Sequence, residues 1–327
     1  MTTHKRVPVT IVTGFLGAGK TTLINEIGKQ TNEKIAYIIN EFGDIGIDGQ
    51  LVERTEEEII EVNNGCICCN VRGDLIKTLS TLLFSKKEGL IEFDRVVIET
   101  TGLADPAPVV QTFLMYPEMM EAFEVDSVCT IVDVQNISYH LDQKDESIYQ
   151  IAFADVLIFN KTDLSSEQEL NNLTNRINAI NPTAKRIFTN HSRININEIL
   201  GVYAFDLQEK LAIDPNLMKQ IHRPHHNDDV VSVALEGQQP LDMKKVNLWF
   251  SYLVELKGES LYRYKGILNI QGETNRLIFQ GVHMLLASDR GREWSKDETK
   301  KSELIFIGTG LDKDTLQEQF ESCIAEG

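Results

Sequence analysis

The chain has 327 residues and a formal net charge of −17, from 32 Lys and Arg against 49 Asp and Glu. The length indicates two domains at about 100–200 residues each, and acidic residues outnumber basic ones on both sides of residue 227, so we expect neither nucleic acid nor a membrane surface as partner. No run of about 18 apolar residues predicts a membrane span and no signal peptide is evident at the start, so we expect a cytoplasmic chain.

Six short, strongly apolar runs in the first part of the chain predict buried β-strands. They cover residues 7–12, 35–40, 95–99, 127–133, 155–160 and 185–189. Helical patterns lie between most of them, at 21–30, around 74–84 and at 167–180. Near-continuous apolar strands that alternate with helices are typical of an α/β domain with a mainly parallel sheet.

The polar segment 222–229 (HRPHHNDD) contains a proline, and we interpret it as a linker between a domain at 1–221 and a domain at 230–327. The patterns beyond it predict, in order, a strand at 230–236, a helix at 242–257, strands at 262–270, 276–287 and 303–308, and a helix at 312–325. This order predicts a smaller α+β domain whose helices lie on one face of an antiparallel sheet.

A phosphate-binding loop is indicated directly after the first strand, where residues 14–21 (GFLGAGKT) fit the pattern G-x-x-x-x-G-K-[ST] at every position. The helix that follows offers its N-terminal N–H groups and partial positive charge to a phosphate. Lys20 would reach the β- and γ-phosphates, and Thr21 would give its hydroxyl to Mg(II). The alternative is a chance glycine-rich turn. The predicted nucleotide-binding residues here are Gly14, Phe15, Leu16, Gly17, Ala18, Gly19, Lys20, Thr21 and Thr22.

The segment Glu99-Thr100-Thr101-Gly102 follows the third predicted strand and offers the acidic residue that a phosphate loop needs near Mg(II). Glu99 would hold a metal-bound water or orient the attacking water. Gly102 would let a backbone N–H approach the γ-phosphate. Apolar strands that end in Glu are common, so its place after the phosphate loop is what favours the catalytic interpretation.

A guanine-recognition loop is indicated by Asn160-Lys161-Thr162-Asp163 at the end of the strand at 155–160. The Asp163 carboxylate can accept hydrogen bonds from the guanine N1–H and 2-amino group. Adenine would leave that carboxylate unpaired. The alternative is an ordinary strand-to-helix turn with Asp163 as an N-cap. Because the motif follows a phosphate loop and an acidic strand end in the right order, we predict GTP, with Asn160, Lys161 and Asp163 as binding residues.

Three of the five cysteines, Cys66, Cys68 and Cys69, fall within four residues in the sequence NNGCICC. Clustered thiolates suit Zn(II) or a similar thiophilic metal, and an incomplete ligand set fits a metal that must leave. Redox sensing by vicinal thiols and packing of small apolar side chains are the alternatives. Cys129 and Cys323 are most simply core residues.

The thiol cluster lies between the phosphate loop and the strand that ends in Glu99, where P-loop NTPases commonly carry parts that respond to the γ-phosphate. We therefore expect GTP hydrolysis to change the metal affinity. A histidine cluster in the predicted linker has two interpretations, a second metal site or a polar tract without a metal. Its histidines are His222, His225 and His226.

The motifs GFLGAGKTT, INEFG, GCICC, ETTGLADP and NKTD occur here in the order found in CobW/YjiA-like P-loop GTPases, which the chain resembles over nearly its whole length. The resemblance implies GTP hydrolysis and delivery of Zn(II) to client apo-metalloproteins. It assigns the metal to Cys66, Cys68 and Cys69, with Glu41 of INEFG assisting at the metal or nucleotide. Cobalt, nickel or iron is the alternative cargo, since family members are also associated with other metals.

These observations predict a cytoplasmic, Mg(II)-dependent GTPase metallochaperone with Lys20, Thr21 and Glu99 as catalytic residues. We expect slow basal turnover, because no arginine finger is evident in the chain. A homo-oligomer is among the candidate assemblies. A P-loop kinase with a structural zinc, and a zinc- or redox-responsive switch without delivery, are the competing functions.

Overall fold

The computed structural model describes residues 6–40, 59–62, 71–102, 104–143, 146–203, 230–295 and 297–326. The chain divides into two compact units. Within the described residues, one unit contains a seven-stranded sheet and the other a five-stranded sheet. The predicted fold class, an α/β P-loop domain with an α+β C-terminal domain, is confirmed. The predicted linker at 222–229 lies outside the described residues, so the domain boundaries stay a prediction.

The first sheet is parallel throughout, with the strand order β3-β2-β4-β1-β5-β6-β7. Its strands are β1 (Val7–Gly14), β2 (Ile35–Asn40), β3 (Ile59–Val62), β4 (Arg95–Glu99), β5 (Phe123–Asp133), β6 (Val156–Asn160) and β7 (Lys185–Phe188). Every residue of β1, β4 and β6 is buried. This burial explains their near-continuous apolar sequences, because strands of a parallel sheet are covered on both faces.

The helices of this unit begin with α1 (Lys20–Gln30), which directly follows the loop after β1. The others are α2 (Val71–Lys87), α3 (Ala107–Met115), α4 (Pro117–Ala122), α5 (Ile137–Gln143), α6 (Glu146–Phe153) and α7 (Glu167–Ile180), of which α7 belongs to this unit only up to Thr174. The apolar face of α1, formed by Leu23, Ile24 and Ile27, packs into the core with residues of β1, β2 and β5. The central strand β1 lies between β4 and β5, so the loops after these three strands meet at one edge of the sheet.

The second unit has an antiparallel sheet with the strand order β11-β10-β9-β12-β8. Its elements are β8 (Val230–Gly237), α8 (Met243–Lys257), β9 (Leu261–Leu268), β10 (Asn275–Val282), β11 (Leu285–Glu293), β12 (Ser302–Thr309) and α9 (Lys313–Ser322). Phe250 of α8 and Phe320 of α9 share a single core with Phe279 and Phe306 of the sheet. Asp242 and Asp312 cap the two helices by accepting backbone N–H bonds.

The prediction of a single strand at 276–287 is wrong. The structure has two antiparallel strands there, β10 and β11, joined by a turn at His283 and Met284. His283 adopts a φ of 52°. The turn residues include no glycine, asparagine or proline, so the sequence carries no signal for a hairpin turn. The smaller sheet therefore has one strand more than the sequence predicted.

Candidate functional site

Two glycines of the predicted phosphate loop have positive φ angles and tight surroundings that no other residue would tolerate. Gly14, at the end of β1, has a φ of 138°, and a Cβ there would lie 2.4 Å from the carbonyl oxygen of Ile131. Gly19 has a φ of 113°, and a Cβ there would lie 2.5 Å from Nδ2 of Asn160. The glycines thus shape the loop and let the guanine-recognition motif approach its backbone.

Lys20 lies inside the loop rather than in solvent. The residue is only 8% exposed, and Nζ donates to the carbonyl oxygens of Gly14 at 3.0 Å and Phe15 at 3.3 Å. Gly19 forms the N-cap of α1 without a side-chain capping bond. An uncapped helix N-terminus beside a buried ammonium group is the donor set that fits a polyphosphate. Phe15 packs against the ring of His140, with the ring centroids 3.6 Å apart.

Of the remaining positions of the motif, Ala18 is buried, whereas the other four are at least partly exposed and accessible to a ligand. Leu16 is 74% exposed, and Gly17 is exposed. Thr21 is partly exposed and Thr22 is exposed, both in the first turn of α1. Thr21 is therefore accessible to Mg(II), which takes hydroxyl and phosphate oxygens as ligands.

Asn160 connects the predicted guanine-recognition motif at 160–163 to two other loops. Its Nδ2 donates to the carbonyl oxygen of Ala18 at 2.9 Å and to Oγ of Ser192 at 3.1 Å. Its Oδ1 accepts the backbone N–H of Ser192 at 2.9 Å, and the Ser192 hydroxyl donates to the carbonyl oxygen of Gly19 at 3.1 Å. The phosphate loop, the motif at 160–163 and the loop after β7 therefore form one hydrogen-bonded unit.

Lys161 is held in a left-handed conformation, with a φ of 64°, which is uncommon for a residue with a side chain. Its Nζ pairs with Oδ2 of Asp133 at 2.8 Å. The same carboxylate accepts from Asn136 Nδ2 at 2.8 Å and from the backbone N–H of Gln135 at 3.1 Å. Burial opposes the ionisation of Asp133, but these bonds outweigh it and hold its pKa below the usual value.

Asp163 is exposed, as recognition of a base requires. Asn190, in the loop after β7, supports the backbone around it. Asn190 Oδ1 accepts from the Thr162 hydroxyl at 2.6 Å and from the Asp163 backbone N–H at 3.0 Å. The neighbouring residues His191 and Ser192 both have left-handed φ angles.

The segment after β4 lies against the phosphate loop. Glu99 is buried at the end of β4, opposite Val12 of β1. Thr100 donates its backbone N–H to the carbonyl oxygen of Val12 at 3.0 Å, and its hydroxyl donates to Oγ1 of Thr13 at 2.8 Å. A Cβ on Gly102 would lie 2.7 Å from the backbone nitrogen of Leu16, so only glycine fits at this contact.

The predicted metal residues Glu41, Cys66, Cys68 and Cys69 lie outside the described residues, as do the three histidines of the predicted linker. Cys129 and Cys323 are buried. Burial raises the pKa of Cys129 to about 12, and this residue lies in the apolar core of the first unit, as expected of a core cysteine. In the part of the chain that the structure describes, no group of three His, Cys, Asp or Glu side chains is placed to hold a metal ion.

Three long-range partners of the motifs were not predicted from the sequence: Asp133, Asn190 and Ser192. Asp133 ends a predicted strand, and Asn190 and Ser192 follow another, so their positions at the carboxyl edge of the sheet were the available signal.

None of the helices in the described ranges is long and apolar enough to cross a membrane.

Comparison with known proteins matches both parts of the chain. The family profile "CobW/HypB/UreG, nucleotide-binding domain" matches residues 8–188, and that of the CobW C-terminal domain matches residues 230–324. The zinc chaperone YjiA of Escherichia coli K12 is 36% identical over 319 residues, which cover 96% of this chain and 98% of that protein. The zinc-regulated GTPase metalloprotein activator 1 of Schizosaccharomyces pombe is 34% identical, over 93% and 83% of the two chains.

The fold is also shared with a solved structure. The crystal structure of Zn(II)-bound YjiA GTPase from E. coli superposes with a TM-score of 0.80 at 31% identity, and the match covers 98% of this chain and all of that one.

Proposed function

The chain belongs to the CobW/HypB/UreG family, and from this premise we propose that it is a GTP-hydrolysing zinc metallochaperone. In this proposal it binds Zn(II) at Cys66, Cys68 and Cys69, releases it in step with GTP turnover, and transfers it to client apo-metalloproteins. The names of its relatives, zinc chaperone and zinc-regulated GTPase metalloprotein activator, support both halves of the proposal.

The observation that carries the nucleotide half is the bond of 2.9 Å between Asn160 Nδ2 and the carbonyl oxygen of Ala18. This bond fixes the base-recognition motif beside the phosphate loop, so one ligand can engage both. Asp163 then selects guanine, because its carboxylate accepts two donors that adenine lacks.

In hydrolysis, the loop backbone and the Lys20 ammonium group stabilise the charge that develops on the β- and γ-phosphates. GTP phosphate oxygens would replace the Gly14 and Phe15 carbonyls as partners of Lys20. Thr21 would hold Mg(II), which neutralises phosphate charge when bound. Glu99, at the end of the neighbouring strand β4, would orient the attacking water or a water ligand of Mg(II). Slow basal turnover follows if an arginine must come from a partner.

The metal half rests on the clustered thiols and on their place in the chain between the phosphate loop and Glu99. Glu41 would assist at the metal or the nucleotide. Three or fewer thiolates leave a coordination position for a donor of the client, which suits transfer rather than permanent binding. Cobalt, nickel or iron remains the alternative cargo, and a switch without delivery remains the alternative role.

Two assays test this proposal. GTP hydrolysis is measured with ATP as a competitor; a P-loop kinase would be inhibited by ATP, whereas the proposed GTPase is not. Zinc binding is measured on the reduced chain and on Cys66→Ser, Cys68→Ser and Cys69→Ser, with Cys323→Ser as the matched control because Cys323 is buried in the second unit. Zinc binding that survives in all three motif variants would overturn the metal assignment.

Delivery is tested separately by adding the zinc-loaded chain and GTP to a zinc-dependent apo-enzyme in the presence of a chelator that competes for free metal. Activation that depends on GTP and on the cysteine motif supports delivery. Activation by free zinc alone, with no advantage from the chain, supports the switch instead.

A further inference from the structure

Gln150 of α6 is buried, with only 1% of its surface exposed. Its side-chain Nε2 donates to two backbone carbonyl oxygens of the segment after β4, that of Gly102 at 3.2 Å and that of Ala104 at 3.1 Å. A primary amide has two N–H donors, so this side chain uses both on one loop.

The helix position of Gln150 is itself fixed to the sheet. Its backbone carbonyl oxygen accepts the hydroxyl of Thr130 at 2.7 Å. Thr130 lies in β5, opposite Thr13 of β1, the strand that leads into the phosphate loop. The amide of Gln150 is thus anchored on the central strands and reaches from there to the loop.

A backbone hydrogen bond connects the ends of the segment that Gln150 holds. The backbone N–H of Ala104 donates to the carbonyl oxygen of Thr101 at 3.1 Å, and Gln150 binds the carbonyl oxygens of Gly102 and Ala104. Thr100 fixes the start of the segment on β1 through Val12. Glycine has more backbone freedom than any other residue type. Gln150 therefore restrains Gly102 at the point where it approaches Leu16.

We propose that Gln150 is a positioning residue for the γ-phosphate: through the carbonyl oxygens of Gly102 and Ala104 it holds Gly102 in the position in which it meets the phosphate loop. This inference rests on the proposed GTPase function and extends it to a residue outside every nucleotide motif. Gly102 is the residue expected to meet the γ-phosphate, which GDP lacks, so loss of this contact affects GTP more than GDP.

The test uses Gln150→Met, which keeps the length of the side chain and removes both donors, and Gln150→Glu, which replaces them with acceptors that repel the carbonyls. Gln30→Leu is the matched control, because Gln30 also donates to a backbone carbonyl, that of Ile194 at 3.0 Å, but at the other end of α1. For each protein we measure the kcat for GTP and the affinities for GDP and for a non-hydrolysable GTP analogue.

We expect both Gln150 variants to lose about ten-fold in kcat and in the ratio of analogue to GDP affinity, with GDP affinity within about two-fold of wild type. Gln30→Leu keeps all three values. An unchanged ratio in Gln150→Met overturns the inference. So does a parallel loss of GDP and analogue binding in both variants, because it would show a general structural role. If the wild-type chain itself neither hydrolyses GTP nor binds the analogue, the proposed function fails instead.

Discussion

Asn160 and Ala18 are 142 residues apart in the sequence and are joined by a hydrogen bond of 2.9 Å between Nδ2 and the backbone carbonyl oxygen. The same Asn160 side chain exchanges hydrogen bonds with Ser192, in the loop after β7. One buried amide therefore determines how three loops at the carboxyl edge of the sheet are arranged.

Replacing this amide is expected to weaken binding of GTP and GDP alike. Asn160→Ala leaves the Ala18 carbonyl and the Ser192 N–H without their partner, so we expect a loss of affinity of about ten- to a hundred-fold for both nucleotides. Calorimetric titration measures it. Asn171→Ala, an exposed asparagine of α7, serves as the control and keeps wild-type affinity. Equal affinities in the two variants would show that the bond does not organise the site.

Asp163→Asn is expected to exchange guanine for xanthine recognition. The carboxylate accepts hydrogen bonds from the guanine N1–H and 2-amino group, whereas an amide can donate to the carbonyl oxygen that xanthine carries at position 2. We expect GTP affinity to fall at least about a hundred-fold and XTP affinity to rise. Competition against a fluorescent nucleotide checks both. A variant that still prefers GTP would make Asp163 an ordinary turn residue.

The pair between Asp133 and Lys161 predicts a dependence of stability on pH. Burial works against ionisation of Asp133, but hydrogen bonds from Lys161, Asn136 and Gln135 hold its pKa below the ordinary 3.8. The carboxylate therefore stabilises the fold fully above pH 3.8, and this contribution is lost as the pH falls through the lower, folded-state pKa. Asp133→Asn should be less stable at neutral pH and lose less stability on acidification. Urea unfolding at several pH values measures this; parallel curves for both proteins would refute it.

The buried pair between Arg95 and Asp126 predicts a large loss of stability on truncation. Asp126 is fully buried, and its carboxylate accepts from Arg95 Nη1 at 2.5 Å and from the backbone N–H groups of Gly201 and Tyr203. Asp126→Ala leaves a buried guanidinium without this partner, which costs about 3–5 kcal/mol in free energy of unfolding.

The matched contrast for this truncation is the less buried pair between Arg6 and Glu124, whose side chains are 52% and 21% exposed, with 3.1 Å between Nη2 and Oε2. Arg6→Ala should cost less than about 1 kcal/mol. Denaturant unfolding of both variants tests the comparison. Similar losses in free energy of unfolding would mean that burial does not determine how much these ion pairs contribute to stability.

The sequence predicted those parts of the fold that depend on local pattern. The bounds of β2, β4 and α7 agree with the prediction. Continuous apolar runs and helical periodicity are local properties of the sequence, so they can be recognised without knowledge of the packing partners. The strand at 127–133 begins four residues earlier, at Phe123. Its register against β1 shifts at Asp126, because Val9 pairs with Val125 and Thr10 with Ser127. A bulge of this kind is set by the neighbouring strand rather than by the sequence of β5.

The motifs of the candidate site were predicted from the sequence, but the residues that hold these motifs in place were not. The phosphate loop and the motif at 160–163 have fixed spacings that carry their own chemistry. Asp133, Ser192 and Gln150 lie 28, 32 and 48 residues from the groups that they hold. Their types are ordinary for a strand end, a loop and a helix. Only the folding of the parallel sheet brings them to the same edge, so no local pattern could identify them.

The coupling between nucleotide and metal is the central claim. Its most direct test is a titration of the reduced chain with Zn(II), using a competing chelator, in the presence of a non-hydrolysable GTP analogue, of GDP, or of no nucleotide. We predict that zinc binds at least about five-fold more weakly with GDP than with the analogue, and that Cys66→Ser abolishes the difference. Equal zinc affinities in the GTP-analogue and GDP states would contradict the account, because a metal that binds both states equally cannot be released by turnover.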